Sequence, residues 1–187
     1  MSLMPAAAQT PIDLVRPLLR ARQVREFTDQ PLTDEELFAI TQVGRWTGSS
    51  KNNQPWRFLV VRDVPTLREI HDVGLPQTRS LRTAMAAVAI TLPNEPHREV
   101  VDAYDDGRAA ERMLIAACWL GLGAAVAWVR PDVHEAIHRI LRLPADRMVR
   151  TIMVLGHPTE AALRPKNPPG QARLPRSEVI EEFRPER

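Results

Sequence analysis

The sequence predicts a soluble, intracellular, single-domain α/β protein. Three observations carry this. Apolar residues recur at helical spacing in several stretches, and short β-rich or wholly apolar runs stand between them. The length, 187 residues, suits one domain with a substantial core. The lone cysteine, Cys118, allows no internal disulfide and fits a reducing compartment.

Thr10 before Pro11 marks a first helix start, since proline is tolerated at the first helical position. Leu14, Leu18 and Leu19 give that helix an apolar face, and Pro17 kinks or restarts it. Thr33-Asp34-Glu35-Glu36 is a capping box opening a second helix, on which Leu37, Ile40, Val43 and Trp46 recur. Gly48 is placed to end it. Arg57 to Arg62 is a short strand, and Thr66 to Val73 a surface helix. Ala86 to Leu92 is an apolar run expected as a buried strand. Asp106 is expected to cap a long Ala/Leu-rich helix from Gly107 to about Leu120, closed by Gly121 and Gly123. A strand from Ala124 to Val129, a helix opened by Pro131 and a strand from Val149 to Leu155 follow.

After Gly156 the prolines crowd (Pro158, Pro165, Pro168, Pro169, Pro175, Pro185), and no ordinary helix can run there. An extended arm from about residue 157, lying on a partner subunit, is the expectation. Residues 1–10 read as a disordered or expression-derived N-terminus, and residues 11–187 as one domain.

Composition excludes several function classes. Basic and acidic residues number 25 and 23, and the arginines are scattered, so nothing resembles a nucleic-acid footprint. Aromatics are only 5%, too few for stacking on single strands. No stretch approaches the length of a membrane span, and no signal peptide is recognisable. The five histidines are dispersed; His134 and His138, at i and i+4 with Glu135 after the first, read as surface helix histidines, so no metal site is expected. Cys118 lies in an apolar helical run and reads as a structural thiol.

Four segments could carry chemistry. Ala21-Arg22-Gln23-Val24-Arg25-Glu26-Phe27 offers planar guanidinium forks that match phosphate oxygens. Its bland alternative is a solvated basic face. Thr47-Gly48-Ser49-Ser50-Lys51-Asn52-Asn53-Gln54-Pro55-Trp56 sets a row of short polar side chains before a rigid Pro-Trp and a strand. Such a loop can hydrogen-bond a heteroaromatic ring and a polyol chain; turn composition alone accounts for its Ser and Asn, but not for Gln-Pro-Trp leading directly into a strand. Leu120-Gly121-Leu122-Gly123 permits close backbone approach but lacks the dinucleotide fingerprint. The fourth is Arg173, in Ala172-Arg173-Leu174-Pro175 on the proline-rich arm, which by itself reads as a solvent-exposed side chain.

In this order the segments resemble the nitroreductase-like family of FMN-dependent oxidoreductases. The family's Arg-Arg-Ser-x-Arg-x-Phe is matched by Ala21 to Phe27, and its Pro-Ser-Ser-x-Asn-x-Gln-Pro-Trp by Gly48 to Trp56. Its long Ala/Leu helix ending in Leu-Gly-Leu-Gly is matched by Gly107 to Gly123, and its Leu-Gly-x-Pro by Leu155 to Pro158. The serine-to-tryptophan motif is the specific part.

The resemblance implies an α+β fold of three layers: a central, mostly antiparallel or mixed sheet flanked by helices, with an extended C-terminal arm and a C-terminal strand after Arg173. It implies FMN as cofactor, NADH or NADPH as co-substrate, and hydride transfer to a small acceptor such as a nitroaromatic or quinone. A dehydrogenase, a dehalogenase or a non-catalytic FMN-binding protein is the alternative. Arg22, Arg25 and Arg173 are implied as phosphate ligands, with Ala21 and Gln23 in the positions of the family's arginine and serine. Ser49, Ser50, Asn52 and Gln54 are implied as contacts to phosphate, ribityl chain or ring, and the backbone at Ala127 and Trp128 as neighbour of the isoalloxazine. A cytoplasmic homodimer with FMN at the subunit interface is implied too. No catalytic side chain is expected, because the flavin carries the chemistry. The chain departs from the pattern at Ala21, Gly48 and Glu111-Arg112, and its stretch from Trp56 to Gly107 is short.

Overall fold

The computed structural model describes residues 9–167 and 173–184. Its helices of two turns or more are α1 (Pro11–Arg20), α2 (Asp34–Arg45), α3 (Val64–Gly74), α4 (Glu99–Trp119) and α5 (His134–Ile140). Single turns α6 (Glu160–Leu163) and α7 (Arg176–Val179) lie beyond the last strand. The strands are β1 (Arg57–Val61), β2 (Ala86–Pro93), β3 (Gly123–Trp128) and β4 (Arg147–Gly156). They form one sheet in the order β1-β2-β4-β3, antiparallel throughout. The class is therefore α+β, not the parallel α/β type. Among the described residues no helix is long and apolar enough to cross a membrane.

The sheet is the middle of three layers. On one face Ala86, Val88, Ile90 and Leu92 of β2 pack with Leu37 and Ile40 of α2 and Ala109, Met113 and Ala117 of α4. On the other, Ala87 and Ala89 pack with Leu67 and Ile70 of α3 and Ile137 of α5. This period of two explains why β2 reads as a continuous apolar run: both faces are covered. The capping box at α2 forms as expected: Thr33 N donates to Glu36 Oε2 at 2.7 Å and Glu36 N to Thr33 Oγ1 at 3.2 Å.

The structure corrects several element boundaries. α4 starts at Glu99, so Asp106 stands mid-helix and is no cap. Its carboxylate accepts from Thr151 Oγ1 of β4 at 2.6 Å instead. Gly48 does not end α2; the helix stops at Arg45, with Trp46 exposed beyond it. Pro17 neither breaks nor restarts α1. α3 begins two residues early because Asp63 caps it, accepting from Thr66 N at 2.9 Å. Pro131 opens a short 3₁₀ turn ahead of α5. The expected C-terminal strand is absent among the described residues after Gly156. Pro168, Pro169 and Pro185 lie outside the described residues, as do residues 1–8 of the expected disordered N-terminus.

A β-bulge explains how α4 docks. Ile90 pairs with Thr151 and Thr91 with Val149, leaving Arg150 as the extra residue of β4. Two successive side chains can then engage α4: Arg150 meets Glu99 at 2.6 Å, and Thr151 meets Asp106.

Asp106 Oδ1 is buried without a hydrogen-bond partner. Burial raises the Asp106 pKa to about 6, against smaller opposing effects of the Thr151 hydrogen bond and Arg150. A raised folded-state pKa means that this group's contribution is fully present below about pH 4 and is lost as pH rises through about 6. The charged form costs on the order of 3 kcal/mol. Asp106→Asn is therefore expected to gain stability over the parent at pH 7.5 but not at pH 4. Urea unfolding of both proteins at the two pH values tests this, and a pH-independent difference contradicts it.

Candidate functional site

The arginine segment lies along the outer edge of β3. Val24 N donates to Ala124 O at 2.8 Å, and Val126 N donates to Gln23 Oε1 at 3.3 Å. The next outward-facing backbone groups on this edge belong to Trp128. Ala127 beside it, expected as a backbone contact, is fully buried and pairs with Ile152 of β4, whereas Trp128 is half exposed. Two glycines permit the close approach. A Cβ at Gly156 would stand 2.7 Å from Phe27 Cβ and Cγ, and one at Gly123 2.9 Å from Phe27 Cε1 and Val24 Cγ1. Phe27 is thus seated over β3 and β4, and Thr28 N closes the segment onto His157 O at 2.9 Å.

Each residue expected on this segment has a definite place. Gln23 Oε1 also accepts from Arg25 Nη2 at 2.7 Å, so Gln23 is turned onto the protein and orients Arg25. Arg22 Nη2 donates to Ala162 O at 2.9 Å and Leu163 O at 2.6 Å, tying the segment to α6. Ala21 is half-buried beside Cys118, whose Sγ lies 3.7 Å from Arg22 O. Burial, and then a neighbouring Arg79, hold Arg25 below its ordinary pKa. Arg79 sits on the turn Arg79–Arg82, which reaches the segment where Phe27 N donates to Thr83 Oγ1 at 3.2 Å. Like charges close enough to act on one another favour a bound anion. Nothing in the local sequence around Arg79 signals this; the chain fold alone brings it to Arg25. Arg173 is exposed on the arm ahead of α7.

The polar loop stands elsewhere. Thr47, Pro55 and Trp56 are buried anchors, with Trp56 stacked on Phe58 at 6.2 Å. Between them Ser50, Asn52 and Gln54 are exposed and Ser49 half-buried. Ser49 Oγ accepts from Gln54 N at 2.8 Å. Ser50 N donates to Asp105 Oδ2 of α4 at 3.0 Å.

The fold does not bring the two segments together within one chain. The loop leads into β1 and the arginine segment lines β3, the opposite edges of the sheet. Three strand spacings separate those edges, about 14 Å. Ser50 and Arg22 also meet α4 thirteen residues apart, at Asp105 and Cys118, about 20 Å along its axis.

The model of the nitroreductase family matches residues 18–91. A protein of Archaeoglobus fulgidus, provisionally described as an NADH dehydrogenase/NAD(P)H nitroreductase, is 28% identical over 143 residues, covering 74% of this chain and 82% of its own. The NADPH-flavin oxidoreductase of Vibrio harveyi is 26% identical over 181 residues, covering 90% of this chain and 72% of its own. A Desulfovibrio desulfuricans protein, provisionally described as a nitroreductase and solved in complex with FMN, superposes with a TM-score of 0.78 at 28% identity. That likeness covers 95% of this chain and all of the other.

Gly156→Ala is expected to press Cβ into Phe27 and cost about 1–3 kcal/mol. Chemical denaturation reads this directly, and a variant as stable as the parent contradicts the seating of Phe27.

Proposed function

We propose that this chain, a member of the nitroreductase family, is an FMN-dependent oxidoreductase that passes hydride from NADH or NADPH to a small organic acceptor, such as a nitroaromatic or quinone. Its likeness along nearly the whole chain to a relative solved with FMN carries the reading. The residues fit the group. The cationic pair Arg25 and Arg79 suits a phosphate dianion, and the exposed amides of the loop suit a polyol and a heteroaromatic ring.

FMN, when bound, supplies the chemistry of accepting a hydride and delivering it to a second substrate. This chain's own residues bind and orient. Arg22, Arg25 and Arg173 would hold the phosphate, with Gln23 fixing the direction of Arg25. Ser49, Ser50, Asn52 and Gln54 would hold the ribityl chain and ring. The backbone at Trp128, with Ala127 fully buried beside it, would support the ring from the strand edge, a rigid element that fixes orientation. No side chain is given an acid or base role.

The separation of arginine segment and loop favours a site completed by a second copy, a homodimer with FMN at the interface. One chain would supply the arginine edge and the other the loop. Much apolar surface is available for such a partner. Leu14, Leu18 and Leu19 of α1, Trp119 and Leu120 at the end of α4, and Leu174, Ile180 and Phe183 on the arm are all exposed. An arm reaching across to the partner fits a chain with one domain, residues 11–187. A reducing cytoplasm suits the lone Cys118 and a nicotinamide co-substrate.

Purified protein incubated with FMN is expected to retain a yellow chromophore that bleaches on anaerobic titration with NADH or NADPH. A protein that stays colourless overturns the reading. Arg25→Ala is expected to weaken FMN binding about tenfold or more, since a charge-assisted contact is lost. Fluorescence titration measures this, and unchanged affinity removes Arg25 from the site.

A further inference from the structure

We infer that Asp105 is the positioning residue of the 48–54 loop, holding it from α4 in the shape that receives the cofactor. The inference rests on the reading that this loop binds FMN. It assigns a role to a residue outside the loop, on a helix whose other buried residues serve the core or its own docking.

The loop has an unfavourable backbone. Lys51, Asn52 and Gln54 adopt φ of 52°, 56° and 48°, the left-handed region that non-glycine residues seldom enter. Three such residues within four positions do not persist unless surrounding structure imposes them. The bonds within the loop are local: Asn52 N to Ser49 O and Asn53 N to Ser50 O, both at 3.0 Å, and Gln54 N to Ser49 Oγ. Ties from other elements hold its ends, where Arg112 Nη1 donates to Trp46 O at 2.7 Å and Arg147 Nη2 to Pro55 O at 2.9 Å. The exposed part is tied to another element where Ser50 N donates to Asp105 Oδ2 of α4.

Asp105 is built for that tie. Its side chain is 3% exposed, yet its partners lie toward the loop. Oδ2 takes the Ser50 amide, and Oδ1 takes Arg108 Nη1 at 3.4 Å. Arg108 in turn lies over Gly48, where a Cβ would stand 3.0 Å from its Nη2. A buried carboxylate is costly unless its oxygens are bonded, so its partners are held tightly. Asp105, Arg108 and Arg112 recur at helical spacing on one side of α4, and together they meet the chain at Trp46, Gly48 and Ser50. Ser50 is thereby fixed one residue before the left-handed pair, which sets where Asn52 and Gln54 point.

The test compares Asp105→Ala, which removes the acceptor, with Asp105→Asn, which keeps one. Amide hydrogen exchange over residues 47–54 is measured without cofactor, and the FMN dissociation constant and absorbance spectrum with it. Asp105→Ala is expected to speed exchange in this loop at least tenfold. It is also expected to weaken FMN at least tenfold and shift the flavin bands, with the melting temperature of the rest of the chain retained. Asp105→Asn is expected to restore both within about threefold. Unchanged exchange, or faster exchange with unchanged FMN affinity, overturns the inference. If Asp105→Ala does not fold, the largely exposed Arg108→Ala takes its place, with a three- to fivefold loss of FMN affinity expected and no loss overturning the inference. Should the parent protein itself bind no FMN, the functional reading falls and this inference with it; exchange in the cofactor-free loop still shows whether the clamp exists.

Discussion

Three carboxylates buried on one helix govern how this molecule is put together. Asp102, Asp105 and Asp106 all lie within α4, and each is at most 4% exposed. Buried carboxylates must find donors, and the donors come from different elements. Asp102 takes Arg98 at 2.7 Å from the turn before the helix. Asp105 takes the Ser50 amide from the polar loop, and Asp106 takes the Thr151 hydroxyl from the bulged strand β4. The helix is therefore fixed in depth and rotation against both the sheet and the loop. Apolar packing of Ala109, Met113 and Ala117 alone would permit it to slide, because dispersion contacts lack direction.

That fixed helix also sets the geometry of the candidate site. Its N-terminal half holds the loop and its C-terminal end meets the arginine segment, so the two halves stand apart. A ligand that needs both cannot reach them within one chain, and this separation is the ground for the proposed two-chain site. The exposed apolar face of α1 fits this arrangement. That helix is capped and amphipathic but buries none of its residues within its own chain. A helix of ten residues gains little from propensity and needs a tertiary surface to pack on.

The arginine segment shows how placement alters a residue's meaning. Arg22, Gln23 and Arg25 stand side by side in sequence, but the structure gives each a different task. Arg22 binds the carbonyls at the end of α6, Gln23 reads the edge of β3, and Arg25 is held by Gln23 and feels the charge of Arg79. Gln23 accepts from Val126 N and from Arg25 Nη2, so it ties the strand edge to that cation. Arg79, 54 residues downstream of Arg25, arrives through the turn after α3, and its charge acts on Arg25.

Local chemistry legible along the chain determined much of this. The box at Thr33, the apolar run of β2, the glycines after α4 and the polar loop before Trp56 are short-range signals, and each is found where it was expected. The start of α4 was not legible, because an aspartate before a glycine has the look of a cap. Only the packed structure reveals that Asp106 faces Thr151, since a carboxylate's partner across the sheet leaves no mark on neighbouring residues. The same holds for Asp105 and Arg79. The sequence determined the family resemblance, most of the elements and the residue types of the loop, because those rest on residue types at fixed short spacings. The tertiary structure alone decided which acid holds the loop, which cation joins Arg25 and how far apart the halves of the site stand. These are long-range pairings, set by how the sheet and α4 pack.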